Sequence, residues 1–203
     1  MTKTIAKQKV PKNSKSEKRA AEIFRVAANL IKENGYDATS MNDIANKLKL
    51  TKAGLYYYIK GKNDLLFSII EFGMQNLQNQ VIEPCKEIKD PEERLRQIIE
   101  GHSALILELG GTISILTDEV QRLSPTHRKI IIGQKRDYLE LVRKTLRQLR
   151  AQKKMSSVNI DITAMNLFAV ILGVARWYKP KKGWSSQKVS REVSNFVMSA
   201  VLK

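Results

Sequence analysis

The chain has 203 residues, 42% of them apolar, enough to bury a sizeable core in one large or two small domains, which excludes general disorder. Its 36 Lys and Arg outnumber 20 Asp and Glu, and a formal charge of +16 implies a polyanionic partner such as nucleic acid, anionic membrane or a phosphorylated metabolite. A single cysteine, Cys85, excludes an intrachain disulfide and a multi-cysteine zinc site.

Residues 1–16 form a basic tail, and residues 1–19 carry seven Lys or Arg against one acid. The tail reads as an arm that is disordered when free and follows the phosphates or minor groove of DNA, or equally as a solubilising tail. It lacks the apolar run of about 7–15 residues that a secretory signal needs. No charge-free apolar stretch of ~20 residues occurs further on, so the sequence reads as soluble, cytoplasmic and without a membrane partner.

From there apolar residues recur at three and four, the period of helices. Ala20, Ile23, Phe24, Ala27, Ala28 and Ile31 make the first stripe, with Ser14 and Glu17 as a capping box and Asn34-Gly35 as its end. Ser40 and Asp43 cap a short second helix carrying Ile44, Ala45 and Leu48, and Thr51 caps a third that runs to about Tyr58. A long helix from about Lys62 is expected to stop at Ile82, before Pro84.

Asp90-Pro91-Glu92-Glu93 starts the next helix, which extends to Gly110-Gly111, and a shorter one covers Thr112 to Arg122. Ser124-Pro125 opens a long helix with Ile131, Tyr138, Val142, Leu146 and Leu149 on one side, followed by a polar loop over 151–159. Ile160 to Tyr178 is apolar almost all round, the pattern of a helix buried on most faces. Ser185 or Ser186 starts the last helix, with Val189, Val193, Phe196, Val197, Ala200 and Val201. The expected fold is all-α, with about nine helices. It divides into the tail, a helix-turn-helix domain over 17–61 and a ligand-binding and dimerisation domain over 62–203.

Two short helices around a tight turn suit major-groove entry, which needs small or long polar side chains at the tip of the entering helix. Thr51, Lys52, Ala53 and Gly54 meet that need, and Tyr57, Tyr58 and Lys62 offer donors to phosphate oxygens. Leu55, Tyr56 and Ile59 are placed to pack on the first helix.

The run Gly35-Tyr36-Asp37-Ala38-Thr39-Ser40-Met41-Asn42-Asp43-Ile44-Ala45, with Leu50-Thr51-Lys52-Ala53-Gly54-Leu55-Tyr56-Tyr57-Tyr58-Ile59-Lys60-Gly61-Lys62-Asn63-Asp64-Leu65-Leu66, resembles the DNA-binding domain of TetR-family repressors. The resemblance implies that Thr39 and Asn42 contact phosphates, that Lys52, Ala53 and Gly54 face bases, and that Tyr57, Tyr58 and Lys62 clamp phosphates. It also implies a homodimer, joined through the last two helices, on a palindromic double-stranded operator. The sequence departs from the family's frequent His at 58, Phe at 59, Ser or Thr at 61, and Gly-Thr or Gly-Ser where it has Ala53-Gly54, which removes one usual hydroxyl contact.

A second resemblance concerns the rest of the chain. Glu119-Val120-Gln121-Arg122-Leu123-Ser124-Pro125-Thr126-His127-Arg128, then Arg136-Asp137-Tyr138 and Arg176-Trp177-Tyr178-Lys179-Pro180, looks like the branch of the family that answers to CoA thioesters. An acyl chain would then enter a channel lined by Phe72, Leu105, Ile113, Leu116, Tyr138, Phe168 and Leu172. Arg122, Arg128, Lys135 and Arg176 would meet the CoA phosphates. The alternatives are a multidrug-type sensor of hydrophobic compounds and a sequence-tolerant nucleic-acid-coating protein.

Catalysis is not expected. His102 and His127 are 25 residues apart without a Cys or His partner, which gives no metal site. No nucleophile elbow, P-loop or dinucleotide glycine motif occurs, and no cofactor is implied.

Overall fold

The structure, a computed structural model, describes residues 14–110, 119–156 and 158–203. Among the described residues the α-helices are, in order, α1 Ser14–Asn34, α2 Met41–Lys47, α3 Lys52–Tyr58, α4 Lys62–Leu77, α5 Glu83–Glu87, α6 Pro91–Leu109, α7 Pro125–Ala151, α8 Ile160–Trp177 and α9 Ser186–Val201. Among the described residues there is no strand; Met155 and Leu202 form an isolated antiparallel bridge. The fold is all-α.

Helix α1 starts at Ser14, so residues 14–16 are helical, and all six residues of its expected stripe are buried. It ends at Gly35, whose φ of +85° is the left-handed conformation that closes a helix, with its N–H on the Ile31 carbonyl at 2.8 Å. Ser40 and Asp43 form a reciprocal capping box on α2. At the other end of α2, Leu50 N–H donates to Ala45 O at 2.9 Å and Lys49 N–H to Asn46 O at 3.1 Å, which is a Schellman closure. Lys49 occupies the left-handed position at φ 53°, where glycine is usual. This closure makes the turn tight enough for α3 to fold back at once.

The long helix does not end before Pro84. A π-helical turn, Gln78–Ile82, joins α4 to α5, and Pro84 lies at the start of α5. Proline is excluded from a helix interior because it lacks an N–H and crowds the carbonyl four residues back. The wider π turn just before it loosens that register, so the chain continues to Glu87. Of the expected helix 112–122, residues 112–118 lie outside the described residues, and Val120–Arg122 is one turn of 3-10 helix.

The body packs α6 against α7, α8 and α9, with α4 laid across α6 and α7. Ser103 on α6 and Ser194 on α9 are fully buried, small enough to let helices approach closely. Helix α8 departs from expectation, because its burial is one-sided. Ala164, Leu167, Ile171 and Val174 face the core, whereas Ile162 is 62% and Met165 49% exposed. Phe196 on α9 is 65% exposed, and Trp177 and Trp184 are exposed nearby. An apolar helix is buried all round only if partners surround it, and a single chain supplies them on one side of α8.

Candidate functional site

Helices α1, α2 and α3 converge on Ile23, Ala27, Ile44, Leu55 and Ile59, all buried. Leu55 and Ile59 point inward, so the opposite side of α3 faces out: Thr51, Lys52 and Ala53 are exposed at its first turn and Asn42 on the first turn of α2. Thr51 Oγ1 accepts the Gly54 N–H at 3.0 Å as the cap of α3. A Cβ at position 54 would lie 3.1 Å from that same oxygen, so glycine keeps the tip narrow.

Three expected contacts need correction. Thr39 is not on the surface: it is 1% exposed, and its hydroxyl donates toward Gly35 O at 2.9 Å and Leu30 O at 3.3 Å, tying the α1–α2 loop to the end of α1. Tyr56 is not core; it is 41% exposed because the three-and-four spacing from Leu55 passes through Tyr58 and Ile59. Tyr58 is accordingly half-buried against the core, with its ring edge to Tyr57 at 5.1 Å, while Tyr57 is 73% exposed.

Lys62 begins α4 and is already engaged. Its Nζ donates to Asp37 O at 3.1 Å and lies 4.5 Å from the centroid of the Tyr36 ring. Burial raises the Tyr36 hydroxyl above its ordinary pKa, and the hydrogen bond with Asn63 opposes that shift.

Arg122 meets the same corner. Its Nη1 is 2.7 Å from Asp37 Oδ2, and its Nε is 2.6 Å from Glu119 Oε2, close enough for an ion pair but not aligned as a hydrogen bond. Asn63 Nδ2 donates to Arg122 O at 2.9 Å. One turn further along α4, the Phe67 ring stacks on His127 at 3.9 Å. Arg122 therefore is not at the mouth of the expected channel. The segment 119–123 lies against the head and the start of α4, and it takes Arg122 with it.

A cavity of about 220 Å³ lies between α4, α6, α7 and α8, walled by Gly73, Met74, Leu77, His102, Lys135, Tyr138, Leu139, Met165, Phe168 and Leu172. Of the expected channel residues it contains Tyr138, Phe168 and Leu172. Phe72 instead packs on Phe24 of α1, with ring centroids 5.8 Å apart. Leu105 is buried in the α6 core, and Arg176 lies in the last turn of α8. Ile113 and Leu116 lie outside the described residues. As a metal ligand His102 has no partner in the sequence; what points to the cavity is its place in the stripe Leu95, Ile98, Ile99, His102, Leu105, where one polar ring interrupts an apolar face.

His102 Nδ1 and Tyr138 Oη are 3.2 Å apart, and the Phe168 ring meets both edge-on. Burial lowers the His102 pKa to about 4, so the ring is neutral at neutral pH; burial likewise raises that of Tyr138. Burial also pushes the Cys85 thiol up to about 11, which leaves it unreactive. Among the described residues no cluster of His, Cys, Asp or Glu could hold a metal.

Residues 23–69 match the family described as bacterial regulatory proteins, tetR family, and residues 89–201 match the tetracyclin repressor-like C-terminal domain. The HTH-type transcriptional repressor KstR2 of Rhodococcus jostii is 23% identical over 90% of this chain and 91% of its own length. The fatty acid metabolism regulator protein of Bacillus subtilis is 29% identical over 85 residues, 42% of this chain and only 44% of that protein. The crystal structure of AibR in complex with isovaleryl coenzyme A and operator DNA superposes with a TM-score of 0.78 at 28% identity, covering 88% of this chain and 97% of AibR.

Proposed function

The chain belongs to the TetR family of bacterial transcriptional regulators, and on that footing we propose that it is a dimeric repressor of a palindromic operator, released when a CoA thioester fills the cavity. The observation that carries the DNA half is the outward first turn of α3, held rigid by the Thr51 cap above Leu55 and Ile59. A capped helix tip with Lys52 and Ala53 exposed, Gly54 half-buried behind them and Tyr57 beside it suits a major groove ~12 Å wide flanked by phosphates. Residues 1–60 carry 13 basic against 5 acidic side chains, which adds sequence-independent attraction.

The exposed face made by Ile162, Met165, Trp177 and Phe196 supports a second copy of the chain as the partner. By length and composition α8 could also cross a membrane. Its inner flank, however, packs on α6 and α7, and Asp161, Thr163, Asn166 and Arg176 interrupt the rest. A dimer of this kind would hold the two α3 tips about 34–36 Å apart, one turn of duplex.

The CoA reading rests on similarity to AibR, crystallised with isovaleryl coenzyme A, and on the apolar cavity. Met74 and Leu77 line the cavity on the helix whose first turn holds Lys62 and Asn63, about 18 Å away at 1.5 Å per residue. A ligand that displaces α4 would therefore move both the head and the Arg122 corner. A tenfold drop in operator occupancy needs a preference of about 1.4 kcal/mol for the non-binding form.

A footprint tests the proposal. The protein should protect a discrete, roughly palindromic stretch under excess competitor DNA, and Gly54→Glu should abolish that protection with an unchanged circular dichroism spectrum. Protection retained by the variant at the same site would place α3 elsewhere.

A further inference from the structure

The cavity is small, and its inner end is polar. An engineered apolar cavity of about 150 Å³ takes benzene, so 220 Å³ holds on the order of nine non-hydrogen atoms. Lys135 and Leu139, half-exposed on α7, mark where the cavity reaches the surface, whereas His102 and Tyr138 are almost fully buried, so the pair sits away from the opening. Building an imidazole and a phenol into an apolar wall costs free energy unless each finds a partner, and here they partner each other.

That pairing leaves capacity for a guest. When Tyr138 donates to Nδ1, its oxygen still has lone pairs to accept with. When the proton is on Nδ1 and the ring donates to Tyr138, the phenolic O–H is released to donate to a guest oxygen. Both arrangements are uncharged. A buried carboxylate would find no charge in the pair to offset its desolvation.

We infer that the buried end of the inducer is a short, uncharged acyl group of about nine non-hydrogen atoms that carries a hydroxyl or keto oxygen far from the thioester, hydrogen-bonded by Tyr138 and His102. Long, plain fatty chains exceed the space. The inference rests on the reading of this cavity as the CoA-thioester site.

The test is calorimetric titration of the full chain with hexanoyl-CoA, 5-oxohexanoyl-CoA, hexadecanoyl-CoA and free CoA, paired with operator release. The expected result is that 5-oxohexanoyl-CoA binds about tenfold tighter than hexanoyl-CoA, since one hydrogen bond to a buried group is worth roughly 1–1.5 kcal/mol. Hexadecanoyl-CoA should bind more weakly than hexanoyl-CoA, and in Tyr138→Phe the 5-oxo preference should vanish, so that the two six-carbon esters bind alike. Equal affinity for the two six-carbon esters, a preference that survives in Tyr138→Phe, or tightest binding of hexadecanoyl-CoA would overturn this inference and leave the CoA reading intact. If no thioester binds better than free CoA, the CoA reading itself fails and takes this inference with it.

Discussion

The head and the body of this chain handle apolar surface in opposite ways. In the head, the stripes of α1, α2 and α3 close on one another with the first turns of α4, and the outward residues are polar or small. In the body, the same kind of residue leaves two surfaces open, an internal cavity and the α8–α9 face. A closed core makes a rigid reading element. An open one needs something else to complete it, and in a regulator those completions are a second copy and a ligand.

The largest effect should come from the open face. Phe196→Asp places a charge at the centre of the proposed dimer contact, and sedimentation should then report a monomer with helix content intact. Operator affinity should fall by about a hundredfold or more, because two half-sites can no longer be held together. A dimer of unchanged stability would show that the α8–α9 face is completed by something else.

The cavity offers a second lever, through pH. His102 is held at about 4 in the fold against 6.5 ordinarily, so the unfolded chain takes up the proton first as the pH drops. Stability should be full above pH 6.5 and fall between 6.5 and 4 by up to about 3 kcal/mol. Denaturant melts of His102→Leu should lack that loss; an identical pH profile in the variant would assign the acid sensitivity elsewhere.

In the head, Tyr56 and Tyr57 are neighbours on the exposed side of α3, and only Tyr57 is proposed as a phosphate clamp. Tyr57→Phe should weaken operator binding severalfold across sequences while leaving the salt slope unchanged, because a neutral hydroxyl contacts a phosphate without releasing a counterion. Tyr56→Phe is the control for that measurement, and equal affinities in the two variants would remove the clamp from Tyr57.

The smallest stability effect belongs to the junction. The Arg122–Asp37 pair is largely exposed, so Arg122→Ala should leave a thermal melt almost unchanged. Its effect should instead appear in the response: operator release should need severalfold more ligand, because the corner that joins segment 119–123 to the head is gone. Unchanged release would mean that the signal passes through α4 alone.

Local chemistry made much of this legible before any coordinates. Caps are read from neighbouring residues, so Ser40, Thr51, Asp90, Ser124 and Ser185 marked their helices correctly, and the stripes of α1 and α7 are buried as their spacing requires. The helix-turn-helix was legible for the same reason, since its parts lie within about fifty residues and its order is local. What needed the tertiary structure was every question of which surface meets which. Periodicity says that α8 is apolar, but not that one of its sides has no partner within the chain. Likewise Thr39 and Tyr56 exchanged their expected surface and core places, because a residue's face depends on where the neighbouring helix lies. Arg122 and His102 show this most clearly: a cation and a ring in helical sequence carry no address, and only long-range packing put one at the head and the other in the cavity.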